Sequence, residues 1–330
     1  MNVLVTGATG FLGSRIAEAL ALDDKISRIV AAGRKPDPLH TVESQKLNYQ
    51  LGDLVDTGYV EGLFKQPIDV VVNCASLSSP WGSYDAFYQA NIVSQANLIA
   101  ASKKAGVQRY VYISTPAIYF NFQNRFNVKE SDPLPQKASN NYAATKLQAE
   151  RLLEKSGLSY ISIRPRALIG RGDTVIFPRL IRSYHEGRLK VVGSGQNVVD
   201  LTAVSNVVQA VQLALQAPEA ASGRAYNITN GEPVRLWEAI SYVLDKFDLP
   251  PPSGKVPYPV AALAATVMEW KALLLKSEKE PVLTRQSVGI LARSMTLDIS
   301  AARKHLSYAP KQSTWEAIDE FAEWYKTAYQ

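Results

Sequence analysis

The chain has 330 residues, 46% of them hydrophobic and 20% charged, with a formal net charge of +6. That is enough for one large α/β unit or for a nucleotide-binding domain with a smaller lobe, and the composition argues against disorder. Lys and Arg are scattered rather than clustered, so an anionic dinucleotide and an acidic substrate suffice as partners and nucleic acid is not expected.

A single cysteine, Cys74, rules out an internal disulfide and fits a reducing, cytoplasmic setting. It follows the apolar run Val70-Val71-Val72 and reads as a small buried residue. The three histidines lack metal-ligand spacing, so no protein metal site is expected. Met1 to Thr6 already reads as a strand, with no export signal ahead of it. Strands are expected at Asn2–Thr6, Ile26–Ala32, Gln45–Leu51, Asp69–Cys74, Arg109–Ser114 and Ser159–Arg164. Helices fill the gaps, notably Phe11–Leu22, Tyr84–Ala105 and Asn141–Ser156. This alternation is the pattern of a parallel sheet wrapped by helices.

Beyond Pro165 the pattern loosens. Helices are expected at Val175–Glu186, Val204–Gln216, Leu236–Phe247, Pro259–Leu275, Ile299–Leu306 and Thr314–Tyr329. Short strands lie near Lys190–Val192, Val198–Leu201 and Ala225–Ile228, and Pro250 to Gly254 reads as a linker. The expected architecture is therefore α/β: a Rossmann-type doubly wound parallel sheet over 1–165 and a smaller C-terminal α/β substrate lobe over 166–330, the two interleaved. The most lipid-like segment, Val260 to Leu275, falls short of the roughly 20 apolar residues of a spanning helix and is interrupted by Glu269 and Lys271. It is expected as a core helix or as one that touches a membrane from the side.

Gly7-Ala8-Thr9-Gly10-Phe11-Leu12-Gly13 joins the first strand to a helix with G-x-x-G-x-x-G spacing. Glycines here permit a sharp turn, close approach to a pyrophosphate and tight helix packing, while the helix N-terminus offers free N–H groups to phosphate. The second strand ends Gly33-Arg34-Lys35, where an NAD-preferring site usually carries an acidic residue. Arg34 can instead grip a 2′-phosphate, which favours NADP(H) over NAD(H). Asp53, in Gly52-Asp53-Leu54, either accepts from the adenine amino group or caps the next helix.

Tyr142 and Lys146 stand one helical turn apart and share a face. A nearby ammonium would stabilise the phenolate and make Tyr142 a usable acid or base. Tyr112-Ile113-Ser114-Thr115-Pro116-Ala117-Ile118-Tyr119 ends the fifth strand and presents hydroxyls at the carboxyl edge of the sheet, where open α/β folds bind ligands. The order of glycine turn, strand-end hydroxyl and Tyr-x-x-x-Lys resembles the extended short-chain dehydrogenase/reductase superfamily, whose members include NAD-dependent epimerases and dehydratases. The resemblance implies that Thr115, Tyr142 and Lys146 form a catalytic triad, with Ser114 competing for the hydroxyl role. It also implies that Cys74, Ala75, Ser76 and Asn91 serve the cofactor, and that Pro165, Ala167 and Leu168 line the nicotinamide. The segment Asp200 to Val208 matches a structural segment of the family.

Glu280-Pro281-Val282-Leu283-Thr284-Arg285 looks like the corresponding region of 3β-hydroxysteroid dehydrogenases and 2-alkyl-3-oxoalkanoate reductases. That implies a 3-oxo or 3-hydroxy group on a hydrophobic, steroid-like or long-chain acyl substrate. The alternatives are a nucleotide-sugar epimerase or reductase and a non-catalytic dinucleotide sensor. One of Arg166, Arg171, Arg179 and Arg182 is a candidate anchor for a substrate anion. By analogy with the same superfamily, the helices at 84–105 and 141–156 suggest a homodimer.

Overall fold

A computed structural model describes residues 1–275, 277 and 279–329. Seven strands make the main sheet: β1 (Asn2–Thr6), β2 (Arg28–Gly33), β3 (Leu47–Leu51), β4 (Val70–Asn73), β5 (Arg109–Ile113), β6 (Tyr160–Pro165) and β7 (Arg224–Ile228). All pair in parallel, in the order β7-β6-β5-β4-β1-β2-β3. The order reverses between β1 and β4, and a cleft opens there at the carboxyl ends of the strands, as the doubly wound fold requires.

Successive strand residues face opposite sides, so an apolar run feeds two cores. Val3 and Val5 enter one core together with Ile16 and Leu20 of α1 (Phe11–Ala21), Val207 and Val211 of α7 (Val204–Gln216) and Leu306 of α11 (Ser300–Leu306). Leu4 enters the other with Leu63 of α2 (Thr57–Leu63), Leu98 of α4 (Ser94–Lys104) and Ala149 of α5 (Asn141–Glu154). The doubly wound α/β sheet read from the sequence is the observed one.

A separate core belongs to the second lobe. Phe177 of α6 (Ile176–His185), Val243 of α8 (Leu236–Asp245), Ala265 of α9 (Tyr258–Leu274), Val288 of α10 (Arg285–Ala292) and Phe321 of α12 (Thr314–Tyr329) meet there. The lobes do not divide at one residue, because α7, β7 and α11 return to the first layer after α6. Among the described residues no helix is long and apolar enough to cross a membrane.

Three elements depart from the sequence pattern. The helix expected over Tyr84–Ala105 is α3 (Tyr84–Tyr88) and α4 joined by a π-helical turn at Gln89–Val93. Ser94 donates to the Gln89 carbonyl at 3.1 Å, across that widened turn. The strand Arg125–Val128 pairs with Met295–Leu297 although neither stood out in the sequence, since short strands in a small sheet carry little alternation. The expected start of the second strand at Ile26 is instead a turn closed by the Ile26 N–H on the Asp23 carbonyl.

Beneath the sheet end lies a buried ion pair. Arg164, on β6, donates through Nε to Glu150 Oε1 at 2.9 Å and through Nη2 to Oε2 at 2.5 Å, and its Nη1 reaches the Tyr119 hydroxyl. Removing one partner of such a pair strands the other's charge in low dielectric. Arg164→Leu is therefore expected to cost about 3–5 kcal/mol in urea unfolding. A loss below about 1 kcal/mol, the worth of an exposed pair, would contradict this arrangement.

Candidate active site

The switch-point cleft has a volume of about 810 Å³. Its walls bring together Gly7, Thr9, Gly10, Phe11, Leu12, Gly13, Arg34, Asp53, Leu54, Cys74, Ala75 and Ser76, all marked from the sequence as cofactor-facing. The glycines are required by closeness. Gly7 has φ +65°, and a Cβ on Gly13 would lie 2.1 Å from the Gly7 carbonyl oxygen. The cradle thus has the bare backbone that a pyrophosphate needs. A Cβ on Gly33 would lie 2.4 Å from Thr9 Oγ1, so packing on the turn explains that glycine.

Arg34 is exposed on the cleft wall and has no ion pair among the described residues. The loop behind it is pinned by His40, which is buried between the Asp37 carboxylate at 3.0 Å and the Gly172 carbonyl at 2.9 Å. Asp56, rather than Asp53, caps α2, accepting from the Gly58 and Tyr59 N–H groups. The Asp53 carboxylate accepts from the Val55 N–H at 3.0 Å and remains exposed on the cleft. Cys74 is half-buried rather than fully buried, and desolvation pushes its thiol up to about 12.

Asn91 is buried behind the cleft wall rather than in it. Its Oδ1 accepts from the Leu77 N–H at 2.8 Å and the Ser76 hydroxyl at 3.1 Å, while its Nδ2 donates to the Leu77 carbonyl and to Thr145 Oγ1. It therefore clamps the loop after β4 to α5, and the π turn aims it there. A second polar knot lies beside it. Thr6 donates to Asn73 Oδ1 at 2.5 Å, and Asn73 donates to Gln95 and Tyr110.

Asn140 caps α5 through its side chain and sets the helix end under the sheet edge. Tyr142 is half-buried, and desolvation raises its phenol pKa. The neighbouring hydroxyls of Thr115 and Ser78 oppose that rise. Of the two candidate hydroxyls, Thr115 is the one that acts on the Tyr142 phenol. Ser114 is buried with its Oγ lacking any partner among the described residues.

Lys146 is buried, donates to the Ile113 carbonyl at 2.6 Å and lies 4.1 Å from the centroid of the Tyr112 ring. Burial lowers its pKa to about 7, with Glu150, one turn further along α5, opposing the shift. The direct lowering of Tyr142 by the ammonium, expected from their spacing, is thus replaced by a net upward shift. Desolvation of the phenol outweighs the hydroxyls that oppose it, and the lysine's donor is engaged by a strand carbonyl.

Pro165 is buried at the end of β6, Ala167 adopts φ +44°, and Leu168 pairs with Thr202. These three lie beyond the walls of the dinucleotide cleft. A left-handed alanine beside a ligand-binding edge is the kind of strain that clusters at working sites. Among the candidate anchors, Arg171 pairs with Glu18 and Glu320, and Arg179 with Glu280. Arg182 is exposed, and Arg166 packs on Met295. Asp200 accepts from the Leu297 N–H at 2.7 Å, in keeping with a structural segment.

A second cleft, also of about 810 Å³, opens beside the first residues of α5. Trp81, Phe87, Ala272 and Leu273 supply its apolar surface, and Ser139, Asn141, Glu269 and Arg285 its polar part. Ser78 lines the dinucleotide cleft and Asn141 this one, while Tyr142, next to Asn141 in the chain, Thr115 and Lys146 are in the lining of neither. Ser78 was missed in the sequence, although the serine-rich run after β4 was the available signal.

A family model described as the NAD dependent epimerase/dehydratase family matches residues 3–229. The chain belongs to this family. It is 31% identical to a 2-alkyl-3-oxoalkanoate reductase of Shewanella oneidensis, covering 96% of this chain and 84% of that one. It is 32% identical to a 3beta-hydroxysteroid-dehydrogenase/decarboxylase of Arabidopsis thaliana, covering 96% and 77% respectively. The fold is shared with a UDP-glucuronic acid 4-epimerase of Bacillus cereus solved with NAD, at a TM-score of 0.78, 22% identity and full coverage of both chains. As a family member related to reductases and dehydrogenases, the protein is an NAD(P)-dependent oxidoreductase.

The burial of Lys146 is measurable directly. In a spectrum of the protein with isotope-labelled lysines, one resonance should titrate near the lowered value of about 7 and vanish in Lys146→Met. Glu150→Gln, which withdraws the opposing carboxylate, should lower that midpoint further. Titration of every lysine at its ordinary value would contradict the burial described.

Proposed function

We propose that the protein uses NADP(H) to interconvert a 3-oxo and a 3-hydroxy group on a hydrophobic, steroid-like or long-chain acyl substrate. The observation that carries this reading is the position of Tyr142, which neighbours the Thr115 hydroxyl and Ser78 of the dinucleotide cleft and follows Asn141 of a second cleft with apolar walls. The glycine cradle would hold the pyrophosphate and Arg34 a 2′-phosphate. When bound, the dinucleotide supplies or accepts the hydride.

Thr115 orients the substrate oxygen by hydrogen bonding, and Tyr142 exchanges its proton. Burial keeps the phenol protonated, which is the form carbonyl reduction needs. Lys146, charged when the cofactor and substrate assemble, holds ribose hydroxyls and favours the phenolate left after proton transfer. Cys74, Ala75 and Ser76 would shape the wall opposite, held from behind by Asn91, and Pro165, Ala167 and Leu168 would flank the reactive end.

The names of the relatives support the substrate class, since one acts on 3-oxoalkanoates and another on hydroxysteroids. We further propose a cytoplasmic homodimer, in which exposed Tyr84, Tyr88 and Leu152 on α3 and α5 would be covered by a partner subunit.

Arg34→Ala should weaken NADPH at least about tenfold in a fluorescence titration while leaving NADH nearly unchanged, because only the former carries the 2′-phosphate. Equal losses for both would remove the NADP preference. With a panel of 3-ketosteroids, long-chain 3-oxoacids and nucleotide sugars, turnover is expected with the apolar compounds. Tyr142→Phe should lower it by about 10²-fold or more with NADPH binding retained. Turnover of nucleotide sugars alone would transfer the protein to the epimerase branch, and an unchanged Tyr142→Phe rate would remove the phenol from the mechanism.

A further inference from the structure

The second cleft has a polar end that the chemistry proposed above leaves unused. Helix α9 turns Leu263, Val267 and Trp270 outward as an exposed stripe, and buries Glu269 at that polar end. The Glu269 carboxylate accepts from the Arg285 N–H and from its Nε, both at 2.7 Å. Those two bonds fix the guanidinium by one edge. Its Nη1 and Nη2 groups make no hydrogen bond among the described residues, and the Arg285 side chain is 57% exposed where it lines the cleft.

Gln286 follows in the first turn of α10 and lines the same cleft. It is 7% exposed, and its Oε1 is buried with no partner among the described residues. Its Nε2 makes no hydrogen bond among them either. Ser139, on the same lining, also has an unpartnered Oγ. A buried polar group without a partner bears its desolvation uncompensated, and a ligand that supplies the partner relieves it. Arg285 is the only cation in the lining among the described residues, and the positive end of the α10 dipole adds to it.

We propose that this end of the cleft is a carboxylate subsite. Arg285 takes the acid group of an otherwise apolar substrate in a bidentate grip, Gln286 donates to the same group, and Trp81, Phe87 and Leu273 hold the chain. Glu269 is the positioning residue, since it fixes the guanidinium before the ligand arrives. The charge balance selects a monoanion. One guanidinium already offset by one carboxylate is too little charge for a phosphate, and no second cation lines the cleft among the described residues. A neutral steroid would leave the Nη groups and the amide without acceptors, so the cleft favours a long-chain 3-oxoacid over a 3-ketosteroid. Asn140 and Asn141 line it directly ahead of Tyr142, so the acid is held in the cavity whose wall runs into the phenol-bearing helix. The choice of substrate rests on the function proposed above; the binding of an acid at Arg285 does not.

Dodecanoate and dodecanol, which share a chain and differ in the head group, are the probes. In calorimetric titrations of the full chain, dodecanoate should bind at least about tenfold tighter than the alcohol, and Arg285→Met should bring the two within about twofold. Arg285→Lys, which keeps the charge without the fork, should fall between. Arg285→Met strands the Glu269 carboxylate, so a Glu269→Gln, Arg285→Met double variant is measured beside it and should lose the same selectivity. NADPH binding should match the wild type in every variant, since neither residue lines the dinucleotide cleft. Equal binding of acid and alcohol by the wild type, or a preference kept by the double variant, would overturn the proposal. In turnover, 3-oxododecanoate should exceed its methyl ester at least about tenfold in kcat/KM, and equal values would remove the acid from substrate recognition. Acid binding that depends on Arg285 without turnover of any 3-oxo compound would leave the subsite standing and remove the function.

Discussion

The arrangement depends on a lysine end buried against a strand carbonyl. Lys146 projects from α5 to the Ile113 carbonyl at the carboxyl edge of β5, with the Tyr112 ring under its charge and Glu150 one turn away. An ammonium removed from water survives only with such partners. Meeting that demand fixes the rotation of α5 about its own axis. Tyr142, one turn earlier on the same face, is then carried to Thr115, the second residue after β5. The same rotation sends Glu150 to Arg164 on β6, and so ties the site to the sheet beneath it.

Much of this was legible in residue order. The glycine spacing after β1 located the cradle because close approach can be made only by residues without a Cβ, and that constraint is local. The α/β alternation located the sheet because apolar runs in a doubly covered sheet leave a strong signal. The choice between Ser114 and Thr115 was open in the sequence because adjacent strand-end residues point to opposite sides, and only a three-dimensional position can show which of them neighbours Tyr142; that neighbour is Thr115. The contribution of Ser78 and the direction of the Tyr142 shift lay beyond sequence reasoning for a related reason. Both depend on how much water the folded chain removes around the phenol, which spacing along one helix does not encode.

The second lobe was harder to read. Its core is assembled from short helices and two-residue strands, and α7, β7 and α11 leave it to complete the first layer. The part of it that lines the second cleft joins an apolar wall to a neutralised carboxylate, Glu269 with Arg285. The interruption of the lipid-like segment at Glu269 is resolved by this pairing: the charge faces inward, and the outward stripe of α9 stays apolar.

The most direct test is a crystal structure of the protein with NADP⁺ bound. The pyrophosphate should lie on the turn from Gly7 to Gly13 and the nicotinamide ring beside Tyr142 and Lys146, its reactive carbon within about 4 Å of a substrate carbon held by Thr115. A ring directed away from Tyr142, or a dinucleotide that leaves Lys146 on the Ile113 carbonyl with no contact to the ribose, would contradict the account.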